Sequence, residues 1–287
     1  MTTLQQILNG LVLGHIYALL AVGWTILLGV CKLVNFAHGQ IYMMGAFVAW
    51  YVMARLGAPY WLATLAAVGA GAAIGYVIQR VLLPLTIKRD LVSIMIATLG
   101  IGYILTGSAA MMFGSIAQIM ETPLSTTDFQ VGDIWISYQE VVIIVVAILI
   151  FVSVHALFRR TQVGRLARMV AEDPHLAQLA GVNIRHVYLA VFCFEGAAVS
   201  LAAALIAPRV PLQTSMGFEE VIATFVVVVV GGIGSIWGSY VAGLALGIFT
   251  ALFSAFVSPV YTTGAVFVAL IGLLLVRPGG LGVGAQK

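Results

Sequence analysis

The chain has 287 residues, of which 62% are hydrophobic and only 8% charged, with a formal net charge of +3. Its mean hydropathy of +1.12 means more apolar surface than one water-soluble core covers, since soluble domains carry about 25% charged residues. A soluble globular protein is thereby excluded in favour of an integral membrane protein, and so weak a positive balance, spread over scattered clusters, implies no nucleic-acid partner.

About twenty predominantly apolar residues cross a hydrocarbon core. By that ruler the candidate segments in chain order are residues 5–30, 33–54, 60–83, 91–113, 138–158, 187–208, 218–232, 236–256 and 264–276. The expected fold is all-α, a polytopic membrane protein of about 8–9 transmembrane helices forming one transmembrane domain over residues 1–287. The seventh and ninth segments are short and read as partial or re-entrant. The first has no basic region ahead of it and no small-residue cleavage pattern, so it reads as a retained span rather than a signal peptide.

The first interruption follows at once. The stretch LVNFAHGQ at 33–40 sets Asn35, His38 and Gly39 between two apolar runs. If the segment is helical, Asn35 and His38 share a face; if it unwinds, Gly39 supplies the freedom and the side chains cap freed backbone groups. Lys32 beside it suggests a position toward the cytoplasmic end, as part of a gate. A matching break, GGIGSIWG at 231–238, carries Gly231, Gly232 and Gly234. Lipid cannot hydrogen-bond a broken backbone, so such breaks survive where they are buried in protein or line a wet cavity, and a pair of them points to a transport pathway.

Positively charged loops stay cytoplasmic. Arg80, Lys88 and Arg89 mark one such loop, residues 159–186 with Arg159, Arg160, Arg165, Arg168 and Arg185 a second, and Arg277 with Lys287 the C-terminus. Counting back places the N-terminus outside, together with loop 114–137, which holds Glu121, Asp128 and Asp133 and neither Lys nor Arg. In the second cytoplasmic loop, Asp173 is a good N-cap, Pro174 suits the first helical position and Gly181 is a natural stop. The two-turn helix between them needs a packing partner. Leu176, Leu179 and Ala180 offer it an apolar face, with Arg165, Arg168 and Glu172 around it, so the loop reads either as headgroup-bound or as a docking element.

Glu195 stands about ten residues into the sixth segment. An ionisable group there raises a functional hypothesis by default: it binds a substrate ammonium, or it pairs with a protonated His or an Arg from another helix. The aromatic residues Trp24, Trp50, Trp61 and Trp237, with Tyr17, Tyr42, Tyr51 and Tyr60, read as interface belts and packing rather than ligand boxes, and the small-residue run GAGAAIG at 69–75 as a close helix contact. Cys31 and Cys193 support no disulfide or metal site, and no cofactor is expected. An intramembrane hydrolase built on Ser235 is disfavoured, because Trp237 breaks the G-x-S-x-G context and no base lies at a matching depth.

The motif NGLVLG at 9–14 with Tyr17, Ala18 and Leu19, then NFAHG at 35–39 with Met44, Gly45 and Ala46, ATLG at 97–100, AED at 171–173 through Ala177, Leu179 and Gly181, GGIGS at 231–235, and Arg277 with Pro278 follow one order. In that order they resemble the permease subunits of ABC importers for branched-chain amino acids. Met169, Ser239, the 279–287 tail and Glu195 depart from the family pattern. The resemblance implies a multi-pass subunit of the bacterial plasma (inner) membrane, in a lipid bilayer. Its partners would be a second homologous permease subunit, two cytosolic ATP-binding subunits and a periplasmic or lipoprotein solute-binding protein. The substrate would be a small molecule, a branched-chain or related amino acid; urea, a short amide or an aromatic acid is the alternative, as is a secondary transporter. The 173–181 helix then resembles a coupling helix seated in a groove of the ATPase. The chain has no phosphate-cradling G-x-x-x-x-G-K-[ST] loop, so the ATPase must be a partner and this subunit is not itself an enzyme.

Overall fold

A computed structural model describes residues 3–88, 91–114 and 116–276. Helices α1 (Thr3–Ile26), α2 (His38–Ala54), α3 (Tyr60–Lys88) and α4 (Leu91–Phe113) form the first half. A short α5 (Pro123–Thr126) and a hairpin of β1 (Asp128–Val131) and β2 (Ile134–Ser137) lead into α6 (Tyr138–Arg160), α7 (Gln162–Glu172) and α8 (Pro174–Leu179). Then come α9 (Ile184–Ile206), α10 (Met216–Gly231), α11 (Ile236–Phe256) and α12 (Thr262–Val276). This is an all-α polytopic membrane protein.

Among the described residues six helical stretches reach span length: Thr3–Cys31, Tyr60–Leu82, Leu91–Phe113, Tyr138–Arg160, Ile184–Arg209 and Ile236–Phe256. Of the other segments expected from hydropathy, α10 and α12 are short as anticipated, at 16 and 15 residues. The second, expected from residue 33, becomes a helix only at His38 and has 17 residues. Hydropathy counts apolar side chains and is blind to a backbone that turns without forming helix.

Helix starts follow local chemistry. Ser137 and Glu140 make a reciprocal capping box at α6, and Asn183 and Ser235 cap α9 and α11, each satisfying amides that have no partner inside the helix. The 114–137 loop holds the β1–β2 hairpin. Val131 pairs Ile134 across the two residues Gly132 and Asp133, with Gly132 at φ 62°, a turn whose backbone matches strand twist. Its local signal, FQV and IWI flanking Gly-Asp, is present in the sequence.

Lipid tails are as apolar as leucine, so helices in a bilayer associate through close packing rather than water expulsion. Small residues make that packing possible here. Along the antiparallel α1–α11 seam, a Cβ on Gly10 would lie 2.6 Å from the Ile248 Cα, and one on Gly14 2.7 Å from the Leu244 Cα. Gly71 and Gly75 of the 69–75 run press against Ser200 and the Phe192 carbonyl of α9, as the sequence suggests. The core is centred on α1, whose residues from His15 to Ile26 are nearly all buried.

Two ends of the bundle are defined by contacts. At one, Gln5 donates to the Trp135 carbonyl (3.0 Å) and accepts from the Trp135 amide (2.9 Å), joining the N-terminus to the hairpin. At the other, α7 packs against the end of α1, a π-helical turn over Leu27–Cys31. Arg89 and residues 277–287, used above to orient the chain, lie outside the described residues.

Candidate functional site

At the end of α1 the chain widens into the π-helical turn, reverses at Lys32 (φ 57°) and runs without helix to Ala37. Gly29 permits this turn to touch the second break: a Cβ on it would lie 2.9 Å from the Gly234 Cα. The two interruptions, some two hundred residues apart in sequence, thus meet in space. At the second break Gly232 and Gly234 hold φ of 91° and 82°, which other residues adopt only with strain. Gly231 packs on the Ser239 backbone, and Thr25 bonds Ser239 across the seam at 2.6 Å.

The broken backbone is satisfied by side chains. The Asn35 Oδ1 accepts from the Ala37 amide at 3.0 Å, and the Phe36 amide donates to Thr98 Oγ1 at 3.1 Å. The Asn35 Nδ2 donates to both oxygens of Glu195, at 3.2 and 3.1 Å, and His38 Nδ1 lies 2.9 Å from Glu195 Oε1. Asn35, His38 and Glu195 are each 0% exposed. The His38 ring stacks on Trp24, centroids 5.1 Å apart, so Trp24 is a core residue and not an interface belt.

Glu195 is the twelfth of the 23 residues of α9. The Asn35–His38 motif therefore lies at the middle of a spanning helix, deeper than Lys32 alone suggests, because the non-helical chain climbs back into the bundle. Chemically, the Glu195 carboxylate is enclosed and accepts from two side chains. A buried charge survives only when paired and hydrogen-bonded, and this one is. It clasps the first break to α9.

Gly39 marks the next contact. A Cβ there would collide with the Gly217 carbonyl and lie 2.6 Å from the Val221 Cγ2, so α2 and α10 cross backbone to backbone.

The cytoplasmic-type loop forms a separate group. Asp173 caps α8, accepting from the His175 and Leu176 amides at 2.7 and 3.1 Å. Gly181 ends it at φ 82°. Pro174 opens the helix and Ala177 is buried, while Leu176 and Leu179 are 61% and 74% exposed. Arg168 donates to the Phe158 carbonyl; Arg165 and Glu172 are exposed on α7. From this group α7 packs on the Leu27–Cys31 turn, which in turn packs on α9, the helix that carries Glu195.

Sequence reasoning passed over two acidic groups. Glu140 pairs with Arg209 at 2.5 Å near the hairpin. Glu220 of α10 has its Oε2 enclosed without a hydrogen-bond partner. The rule that singles out Glu195, an ionisable group in an apolar segment, applies equally to Glu220.

The family described as branched-chain amino acid transport system / permease component matches residues 6–276. The chain belongs to this permease family. It is 33% identical to the high-affinity branched-chain amino acid transport system permease protein BraD of Pseudomonas aeruginosa, over 97% of this chain and 95% of that protein. It is equally identical to LivH of Escherichia coli K12, over 97% of this chain and 94% of LivH. A more distant relative is the fructose import permease protein FrcC of Rhizobium meliloti, 26% identical over 76% of this chain and 62% of FrcC. As a permease of this family, the chain meets the expectation raised by its NFAHG and GGIGS motifs.

Proposed function

We propose that this chain is a membrane subunit of an ATP-binding-cassette importer that moves branched-chain or related amino acids into the cell. The observation that carries the reading is the family match over residues 6–276. In this reading the chain sits in the bacterial inner membrane as a single domain, its N-terminus and hairpin outside and its C-terminus in the cytoplasm, because Arg159, Arg160, Arg165, Arg168 and Arg185 gather at one end. It pairs with a second homologous permease, two ATP-binding subunits and an extracytoplasmic solute-binding protein.

Mechanism follows from the contacts. Helix α8 presents Leu176 and Leu179 to the ATPase as the coupling element. Motion of α8 passes through α7 to the Leu27–Cys31 turn, and from there to the paired breaks at residues 29–39 and 231–238. Asn35, His38 and Glu195 hold the closed arrangement, while the Gly39–Gly217 crossing lets α2 and α10 part along backbone rather than interlocked side chains. These residues act as gate, and Glu195 is a latch.

The test is uptake by vesicles holding this subunit with a second permease, ATPases and a binding protein of the same importer. Leucine, isoleucine and valine should accumulate only with ATP inside the compartment holding the ATPases. Uptake that follows an ion gradient without the ATPases would make the chain a secondary transporter and overturn the proposal. The FrcC resemblance favours one further reading, the same architecture with another small polar solute, so urea, short amides, aromatic acids and fructose belong in the solute panel.

A further inference from the structure

Glu195 has its oxygens satisfied from within the chain; Glu220 does not. It lies on α10 one turn beyond the Gly39–Gly217 crossing. Glu220 belongs to neither the His38–Glu195 nor the Arg209–Glu140 ion pair. Its Oε2 is enclosed and unpartnered. A carboxylate so placed is costly in a bilayer unless a cation or a proton answers it.

The surroundings are specific. The phenols of Tyr17 on α1 and Tyr42 on α2 lie within electrostatic range of Glu220. Beside Tyr17 stands Thr250 of α11, whose enclosed hydroxyl faces the Tyr17 phenol. Helices α1, α2 and α11 all pack against α10, so a carboxylate, a hydroxyl and two phenols share one region of the bundle. Exposed Glu219 on the same helix adds negative potential. The set is rich in acceptors and has no positive charge of its own. What it fits is a compact cation with several N–H donors, and phenol rings add a π face toward such a cation.

We propose that Glu220, with Tyr17, Tyr42 and Thr250, binds the ammonium group of the amino acid in transit. This rests on the importer reading above and deepens it: Glu195 latches the gate, and Glu220 meets the cargo.

The experiment uses the full complex in nanodiscs without the binding protein. Equilibrium binding of radiolabelled leucine is competed with unlabelled leucine, with 4-methyl-2-oxopentanoate, which lacks the ammonium, and with sodium ions. Leucine should bind the wild type, and neither the oxo acid nor sodium should displace it. Glu220→Gln should weaken leucine binding at least tenfold and Thr250→Val several-fold. Wild-type affinity in Glu220→Gln overturns the proposal, as does displacement by the oxo acid, or an absence of leucine binding in a complex that takes leucine up. Displacement by sodium makes this an inorganic cation site and overturns it too. If Glu220→Gln fails to assemble, Thr250→Val and Tyr17→Phe carry the test, and unchanged leucine affinity in both overturns it. A wild type that accumulates no amino acid in the uptake panel brings down the importer reading itself, a distinct result.

Discussion

Replacing Glu195 by alanine removes the acceptor for two buried donors at once. The Asn35 Nδ2 loses both its contacts, at 3.2 and 3.1 Å, and His38 Nδ1 loses the one at 2.9 Å. Since His38 Nε2 has no partner among the described residues, the imidazole is left with neither nitrogen paired. Each buried, unsatisfied donor costs about 1–3 kcal/mol, so the variant should lose about 2–6 kcal/mol. Glu195→Gln keeps one carbonyl acceptor and should lose roughly half as much. Asn35→Ala removes one donor, and its double-mutant cycle with Glu195→Ala should return a coupling of about 1–3 kcal/mol. The measurement is unfolding of the assembled subunit in detergent by denaturant titration. Glu195→Ala within 0.5 kcal/mol of wild type, an order-of-magnitude bound for a neutral change, or strict additivity with Asn35→Ala, would refute the latch.

Other outcomes follow from the same contacts. Gly39→Ala drives a methyl into the Gly217 carbonyl; overpacking costs about 1–3 kcal/mol, and cysteines placed on α2 and α10 beside the crossing should cross-link more slowly than in the unsubstituted chain. Leu179→Asp leaves the fold intact, since that side chain is 74% exposed, but should abolish co-purification with the ATPase and uptake together; retained association contradicts the role of α8. Asp173→Ala removes the cap of α8, worth about 1 kcal/mol, and amide exchange at His175 and Leu176 should quicken about fivefold. Exchange unchanged at those two amides would show that packing, not the cap, holds the helix.

The sequence by itself determined the class of fold. Its apolar share, the spacing of its hydrophobic runs and its Asp173-Pro174 and Gly181 punctuation are local properties, and local chemistry forms helices and caps wherever the rest of the chain lies. It also marked both glycine breaks, because a bilayer tolerates so few of them. What only the tertiary structure decided is what the breaks touch. Nothing local brings Asn35 and His38 to Glu195, or Gly29 to Gly234; those contacts arise because small residues let α1 seat against α11 and α3 against α9. Lys32 misdirected the estimate of depth for the same reason, since sequence distance from a charge does not register a chain that re-enters the bundle. The two carboxylates Glu195 and Glu220 look alike in sequence. They differ because one is answered by donors from a neighbouring segment and the other is not, a difference that exists only between helices.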